Sequence, residues 1–375
     1  MSDKKRRSIT FMASTLPVGG AETHLIALVR GLEDHGFDPS LVLLKDPGEL
    51  GSRLVSEGRL PVLYGLKVHG LTPRFLRVLT RELRRRRPEA LITLEHDDVM
   101  LAGRLVARFL HVPRVITIMH TTTRRSGSPT VSRLFRLMKS YSDTYVATAQ
   151  GHRHHLVQQG LPAERVVVIE NGVDTERFRP SAREPSLWTR IGLPPGSRTI
   201  GMVAAFRPEK SHELVLHALA TIRQRRPDAH LLLFGDGPLK ATIEQAAHRL
   251  GVAPAVHWLG VRHDLERWLP QLDLAVLASS PRVETLSFAM LESMACGRPV
   301  VVTDVGFLAE AVADGVNGRL IPAGSANGLA AAVIALLDDP EEADRMGQAA
   351  RRTVEARYSL GKMLERYAAL LTGKR

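Results

Sequence analysis

Short runs of β-branched and aliphatic residues alternate with amphipathic stretches from one end of the chain to the other, and this alternation restricts the fold more than any other feature. The runs lie at 9–13, 41–44, 61–64, 90–94, 114–118, 144–147 and 166–169, then at 199–203, 230–234, 256–259, 272–277, 299–302 and 319–321. Helix-length segments at 21–33, 73–86, 99–110, 213–225, 239–250, 286–295 and 360–371 fall among or after them. A run that is apolar throughout, rather than at every second position, is buried on both faces. With helices between successive strands, those strands are parallel. The expected class is α/β, built from doubly wound, Rossmann-like sheets.

Thirteen strands are too many for one such sheet. Residues 175–198, TERFRPSAREPSLWTRIGLPPGSR, hold four prolines and no sustained period, which suits an interdomain linker. Two domains are expected, 1–178 and 179–375, with the final helix, within 359–375, free to pack back on the first. In open α/β sheets ligands bind at the carboxyl ends of the strands. Two such domains facing each other would enclose a cleft.

With 375 residues, 44% hydrophobic and 24% charged, the chain is globular in composition, which sets aside disordered and collagenous classes. No stretch approaches the roughly 18 apolar residues of a membrane-spanning helix. The basic start, Lys4 to Arg7, resembles a signal peptide, but Thr10, Ser14, Thr15 and Pro17 cut the following apolar run short. Cys296 is the single cysteine, so no intrachain disulfide forms, and a cytoplasmic protein is expected. The net charge of +12 is uneven: residues 1–180 carry 28 Lys/Arg against 18 Asp/Glu, and residues 181–375 carry 23 against 21. Such a field draws an anionic partner toward the first half. No helix-turn-helix or stacking motif accompanies it, and nucleic acid is not the expected partner.

Four loops carry candidate chemistry. Gly19 and Gly20 open a helix after the first strand, where close-approaching amides and the helix dipole suit an anion, although a glycine pair is also a common turn. Arg207 and Lys210, three residues apart after the 199–203 strand, can converge on a diphosphate or stand as two solvated charges. Glu284 and Glu292 are eight residues apart; if the helix starts at Glu284, both project from nearly one face, where sugar and ribose hydroxyls would serve as partners. His120 ends the 114–118 strand and can move a proton near reacting oxygens. The cluster His152, His154, His155 lacks the spacing and companions of a zinc site, and no metal is expected.

Taken in order, these features resemble the retaining glycosyltransferases of family 4 (glycosyl transferases group 1), which have the GT-B fold. The resemblance rests on G-G-A-E at the start, the histidine after an N-domain strand, VVVIENGVDTERFRP, the R-x-x-K loop, FGDGPL, and the E-x7-E segment running into MACGRPVV. It departs at Thr285-Leu286, where many relatives have Gly-Phe or Gly-Leu, and at Ser293, where Ala is usual.

The resemblance implies a retaining, metal-independent transfer of a hexosyl or N-acetylhexosaminyl group from a nucleotide-sugar, with UDP expected, to a glycan, lipid-linked or small-molecule hydroxyl. The nucleotide-sugar is a substrate, and no further cofactor is implied. Arg207 and Lys210 would hold the diphosphate, Glu292 the ribose and Glu284 the donor sugar. Amides near Leu286 and Ser287 would face the distal phosphate. Gly19 and Gly20 would close on the donor, Gly235, Gly237, Val261 and Arg262 would line the nucleotide pocket mostly through backbone, and His120 would stabilise charge or orient the sugar. A sugar-nucleotide epimerase of the same fold is the rival enzyme, and a basic nucleic-acid-binding protein a more distant one. Acceptor recognition would fall on the basic first domain. There the segment 73–87, with Phe75, Leu79 and Leu83 on one face, can read either as a membrane-surface helix or as an ordinary covering helix. Arg124, Arg125, Arg133, Arg136 and Lys139 flank a second segment suited to an anionic acceptor.

Overall fold

The computed structural model describes residues 6–58, 60–66, 72–120, 142–281 and 284–373. Arg124, Arg125, Arg133, Arg136 and Lys139 lie outside them. Each of the thirteen apolar runs forms a strand. Strands β1 (Arg7–Ala13), β2 (Phe37–Leu43), β3 (Val62–Leu63), β4 (Ala90–Leu94), β5 (Arg114–Ile118), β6 (Thr144–Ala147) and β7 (Val166–Val168) make one sheet in the order β3-β2-β1-β4-β5-β6-β7. Strands β8 (Arg198–Val203), β9 (Ala229–Phe234), β10 (Val256–Gly260), β11 (Leu274–Leu277), β12 (Val300–Thr303) and β13 (Arg319–Ile321) make another, in the order β10-β9-β8-β11-β12-β13. The pairings within both sheets are parallel, for example Arg198↔Ala229 through Val203↔Phe234. These are the two Rossmann-like sheets expected from the alternation.

The strands read as continuous apolar runs because both faces of each sheet are covered. In the second sheet Leu231 and Leu233 enter one core cluster with Val215, Leu219 and Val333, while the intervening Leu232 and Phe234 enter another with Leu272, Met290 and Leu291. Alternate side chains therefore feed opposite layers.

The chain divides into two compact units, Met1–Glu170 with Gly361–Arg375, and Asn171–Leu360. The break follows Glu170 rather than residue 178, the boundary expected from the proline-rich stretch. Residues 171–178 bond within the second unit: Val173 N donates to Tyr358 O at 2.8 Å, Leu360 N donates to Val173 O at 2.8 Å, and the Arg351 guanidinium donates to Phe178 O at 3.1 Å. The stretch read as a linker contains the helix Pro185–Arg190, whose Leu187 is buried with Phe178. Proline there ends and starts elements without making a tether.

The helix Leu360–Thr372 belongs to the first unit from Gly361 onward. Arg366 pairs with Glu170, Arg114 donates to Leu371 O at 2.5 Å, and Tyr367 is fully buried. The helix Pro73–Arg86 buries Phe75, Leu79 and Leu83 against Val42, Leu91 and Val106. Its apolar stripe is thus spent on the core, as in an ordinary covering helix. Among the described residues no helix is long and apolar enough to cross a membrane.

Candidate functional site

In each sheet the strand order reverses at one place, between β1 and β4 and between β8 and β11. Loops leaving the carboxyl ends of those strands diverge and open a crevice, the usual ligand position in this architecture. The second unit places Arg207 and Lys210 after β8, and Ser279 and Glu284 after β11.

These two loops are tied together. Ser280 N donates to Glu209 O at 2.8 Å, and the Lys210 ammonium pairs with Glu284 Oε1. The Ser279 hydroxyl donates to the same oxygen at 2.6 Å. Glu284 is 5% exposed and Ser279 1%. Arg207 is exposed, and its guanidinium makes no ion pair with any described residue. The loop therefore offers one cation held by a carboxylate and one in solvent.

Glu284 is not the first residue of a helix, as the eight-residue spacing suggested. The helix runs Phe288–Ala295, capped by Ser287, whose hydroxyl accepts from Met290 N at 3.4 Å. Glu284 and Thr285 are drawn aside by a neighbouring turn: Phe307 N donates to Thr285 O at 3.2 Å, and Gly306, at φ 58°, sits where a Cβ would lie 1.9 Å from Glu284 O. Only glycine fits that combination of left-handed backbone and close approach. The two carboxylates therefore do not share a helical face, because only Glu292 is helical. Leu286 is buried and its carbonyl accepts from Asn171 Nδ2 at 2.6 Å, so its segment is anchored from below.

Glu292 is half-buried, and its carboxylate makes no hydrogen bond or ion pair with any described residue. Burial pushes its pKa up to about 8; the Arg177 charge pulls against this and Glu266 adds to it. An unsatisfied carboxyl group in such surroundings is a ready acceptor for ligand hydroxyls. Gly235 and Gly237, at φ 146° and 159°, lie against backbone: a Cβ would come within 2.1 Å of Ala204 O and 2.7 Å of Phe206 O. Their conformation seats the FGDGPL loop on the end of β8. Val261 is exposed, whereas the Arg262 side chain is engaged by Asp264 at 2.7 Å and the Trp268 ring at 5.2 Å.

In the first unit Gly19 is the N-cap of the helix Gly20–Gly31, at φ −175°, and Gly20 is exposed. Neither glycine is demanded by a left-handed backbone. That helix carries His24, whose Nδ1 lies 3.0 Å from His120 Nε2, with the rings edge to face at 4.9 Å. The Gly-Gly-Ala-Glu helix and His120 are thereby brought together through a residue the sequence reading did not single out. Burial lowers the His24 pKa to about 3; it also holds His120 well below the usual range, reinforced by His24, His152 and His96. Tyr367 packs on the His24 ring at 5.7 Å. His152 turns its Nδ1 toward Thr148 N at 3.2 Å, and among the described residues no group of three or more potential ligands is arranged for a metal.

Two parallel Rossmann-like domains of this kind, each with a switch point in its strand order, define the GT-B class of glycosyltransferase fold. The match is quantitative: a UDP-glucose complex of the Anabaena protein Alr3699/HepE superposes with a TM-score of 0.85 at 22% identity, covering 98% of this chain and 99% of that one. Family models for Glycosyltransferase Family 4 and Glycosyl transferases group 1 match residues 18–177 and 189–353. The N-acetyl-alpha-D-glucosaminyl L-malate synthase of Bacillus anthracis is 31% identical over 264 residues, 68% of this chain and 67% of that protein. A D-inositol 3-phosphate glycosyltransferase 2 from Catenulispora acidiphila is 32% identical over 219 residues, 55% of this chain and about half (51%) of the relative's length. The chain belongs to glycosyltransferase family 4.

Proposed function

We propose that the protein transfers a hexosyl or N-acetylhexosaminyl group from a UDP-sugar to a hydroxyl acceptor with retention of configuration. The observation that carries this reading is the Lys210–Glu284 pair beside an exposed Arg207 at the carboxyl ends of β8 and β11. Two cations and a sugar-facing carboxylate are what a sugar diphosphate needs on one side. UDP is favoured because UDP and UDP-glucose occupy the Anabaena neighbour.

As the bond from the sugar C1 to the diphosphate oxygen breaks, negative charge grows on the leaving group. Arg207, Lys210 and the N-terminus of the helix Phe288–Ala295 stabilise it without a metal. The acceptor oxygen bonds to C1 from the face being vacated, and its proton passes to the departing phosphate oxygen. Glu284 holds the donor sugar's hydroxyls and Glu292 those of the ribose. His120, half-buried and held neutral by desolvation beside His24, orients the donor sugar by hydrogen bonding and is not the sole base.

The acceptor is assigned to the basic first unit. Arg74, Arg77, Arg81 and Arg84 are exposed on the helix Pro73–Arg86 and act on an anionic or lipid-linked acceptor by charge alone. The test is a thermal-shift screen of sugar nucleotides followed by acceptor assays with the best stabiliser, run with and without a chelator. A UDP-sugar raising Tm, and chelator-insensitive nucleotide release only when acceptor is present, support the reading. Interconversion of the nucleotide-sugar with its epimer, without acceptor and without net nucleotide release, points to an epimerase and overturns it.

A further inference from the structure

Glu284 must keep one aim if it meets the donor sugar as proposed, and the inference rests on that reading of its role. Glu284 Oε1 takes two donors at once, the Lys210 ammonium and the Ser279 hydroxyl. A carboxylate 5% exposed cannot lose both without a heavy desolvation penalty. Lys210 is also the cation assigned to the diphosphate, and a doubly charged diphosphate competes strongly for one ammonium. Ser279 has no second duty: among the described residues its hydroxyl hydrogen-bonds only to Glu284.

The backbone around Ser279 is built to stay still. Thr303 Oγ1 donates to Ser279 O at 2.8 Å, and Ser280 N donates to Glu209 O at 2.8 Å in the turn that also carries Lys210. On the far side, Gly306 lies directly against the Glu284 carbonyl. The hydroxyl therefore comes from a fixed point, while the lysine comes from a long side chain free to swing.

We infer that Ser279 is a positioning residue: its hydroxyl keeps the Glu284 carboxylate aimed at the donor sugar while Lys210 exchanges that carboxylate for the diphosphate. No covalent bond changes in this step. Lys210 trades one anionic partner for another, and Glu284 gains room for a sugar hydroxyl on the oxygen Lys210 leaves.

The experiment compares UDP with UDP-glucose or UDP-N-acetylglucosamine, whichever turns over. For Ser279→Ala, UDP affinity by calorimetry stays within about twofold, while kcat/KM for the UDP-sugar falls about 10- to 100-fold, as expected for a lost hydrogen bond to a charged group. Ser279→Thr, which keeps the hydroxyl, recovers most of that loss. Should Ser279→Ala fold poorly, Lys210→Met gives an independent reading. It weakens UDP and UDP-sugar alike and leaves their affinity ratio within about threefold, because Ser279 still holds Glu284. A collapse of that ratio in Lys210→Met, or wild-type kcat/KM in Ser279→Ala while Glu284→Gln is impaired, overturns the inference. If Glu284→Gln is itself unimpaired, or neither UDP-sugar turns over, the donor reading fails instead.

Discussion

The two units handle charge in opposite ways. Around β8 and β11 full charges are kept and set against each other, Lys210 on Glu284, with Arg207 in solvent. Around β5 charge is removed: His24 and His120 lie 3.0 Å apart, and burial holds both pKa values far below the ordinary histidine range. Mutually neutralised charges can change partners when an anion arrives. Neutral rings cannot attract one, but they hold a hydrogen-bonding direction. Under the proposed function, leaving-group charge is the task of residues in the second unit, and the histidine pair of the first offers only uncharged hydrogen bonding.

The most direct way to break this division is to remove its cations. Arg207→Ala or Lys210→Ala should lower kcat/KM by roughly two to three decades, the usual value of a charge-assisted contact made in the transition state. Near-normal rates in both would return the task to some other group. His120→Asn should cost on the order of a hundredfold in kcat. Since His120 titrates well below 6.5, the wild-type pH–rate profile should show no acid limb near that value; a limb there that vanishes in His120→Asn would mean the ring carries charge after all.

Glu292 gives a smaller effect with a defined sign. Its pKa rises from 4.5 to about 8 on folding, so the folded state binds the extra proton between those values. Stability therefore falls as pH rises from about 4.5 to about 8 and is level beyond. Glu292→Gln should raise the Tm of the free protein at pH 8.5, by an amount corresponding to at most about 5 kcal/mol, and leave it unchanged at pH 4. Ribose hydroxyls donating to the carboxylate favour its ionised form, so nucleotide binding at pH 7 should release a proton, visible as a buffer-dependent calorimetric enthalpy. The same variant should bind UDP about tenfold more weakly. Equal enthalpies in all buffers and unchanged affinity would remove the ribose role.

The smallest effect concerns the arginine face of the helix Pro73–Arg86. Replacing Arg74, Arg77 and Arg81 by Glu should change stability by less than about 0.5 kcal/mol each, because these side chains are exposed. Cosedimentation with anionic vesicles at low salt should drop and already be weak for the wild type at high salt. Salt-resistant binding would imply apolar insertion, which the buried Phe75, Leu79 and Leu83 cannot supply.

The strands and most helices are legible in the sequence because a doubly covered sheet needs apolar side chains on both faces, a pattern that survives without context. The cations at 207 and 210 and the carboxylates at 284 and 292 are legible as residue types at a spacing. Their surroundings are less so. Helix start depends on which hydroxyl caps it, and Ser287 wins that position from Glu284. The conformation of Glu284 is set by Gly306, twenty-two residues further along, and by Ser279, in contacts no periodicity encodes. Gly235 and Gly237 illustrate the converse: glycines near a ligand loop answer first to the backbone beneath them. His24 has no sequence signal beyond lying one turn into the glycine-opened helix.

The first unit is assembled from both ends of the chain, since the helix Leu360–Thr372 supplies Arg366 to Glu170 and Tyr367 to the ring of His24. During synthesis the N-terminal half must therefore wait, with its histidine pair uncapped, until the ribosome has traversed the whole intervening domain. A carboxyl-terminal deletion or a bulky fusion there would act at long range along the polypeptide, loosening residues near the opposite terminus while sparing the domain encoded between.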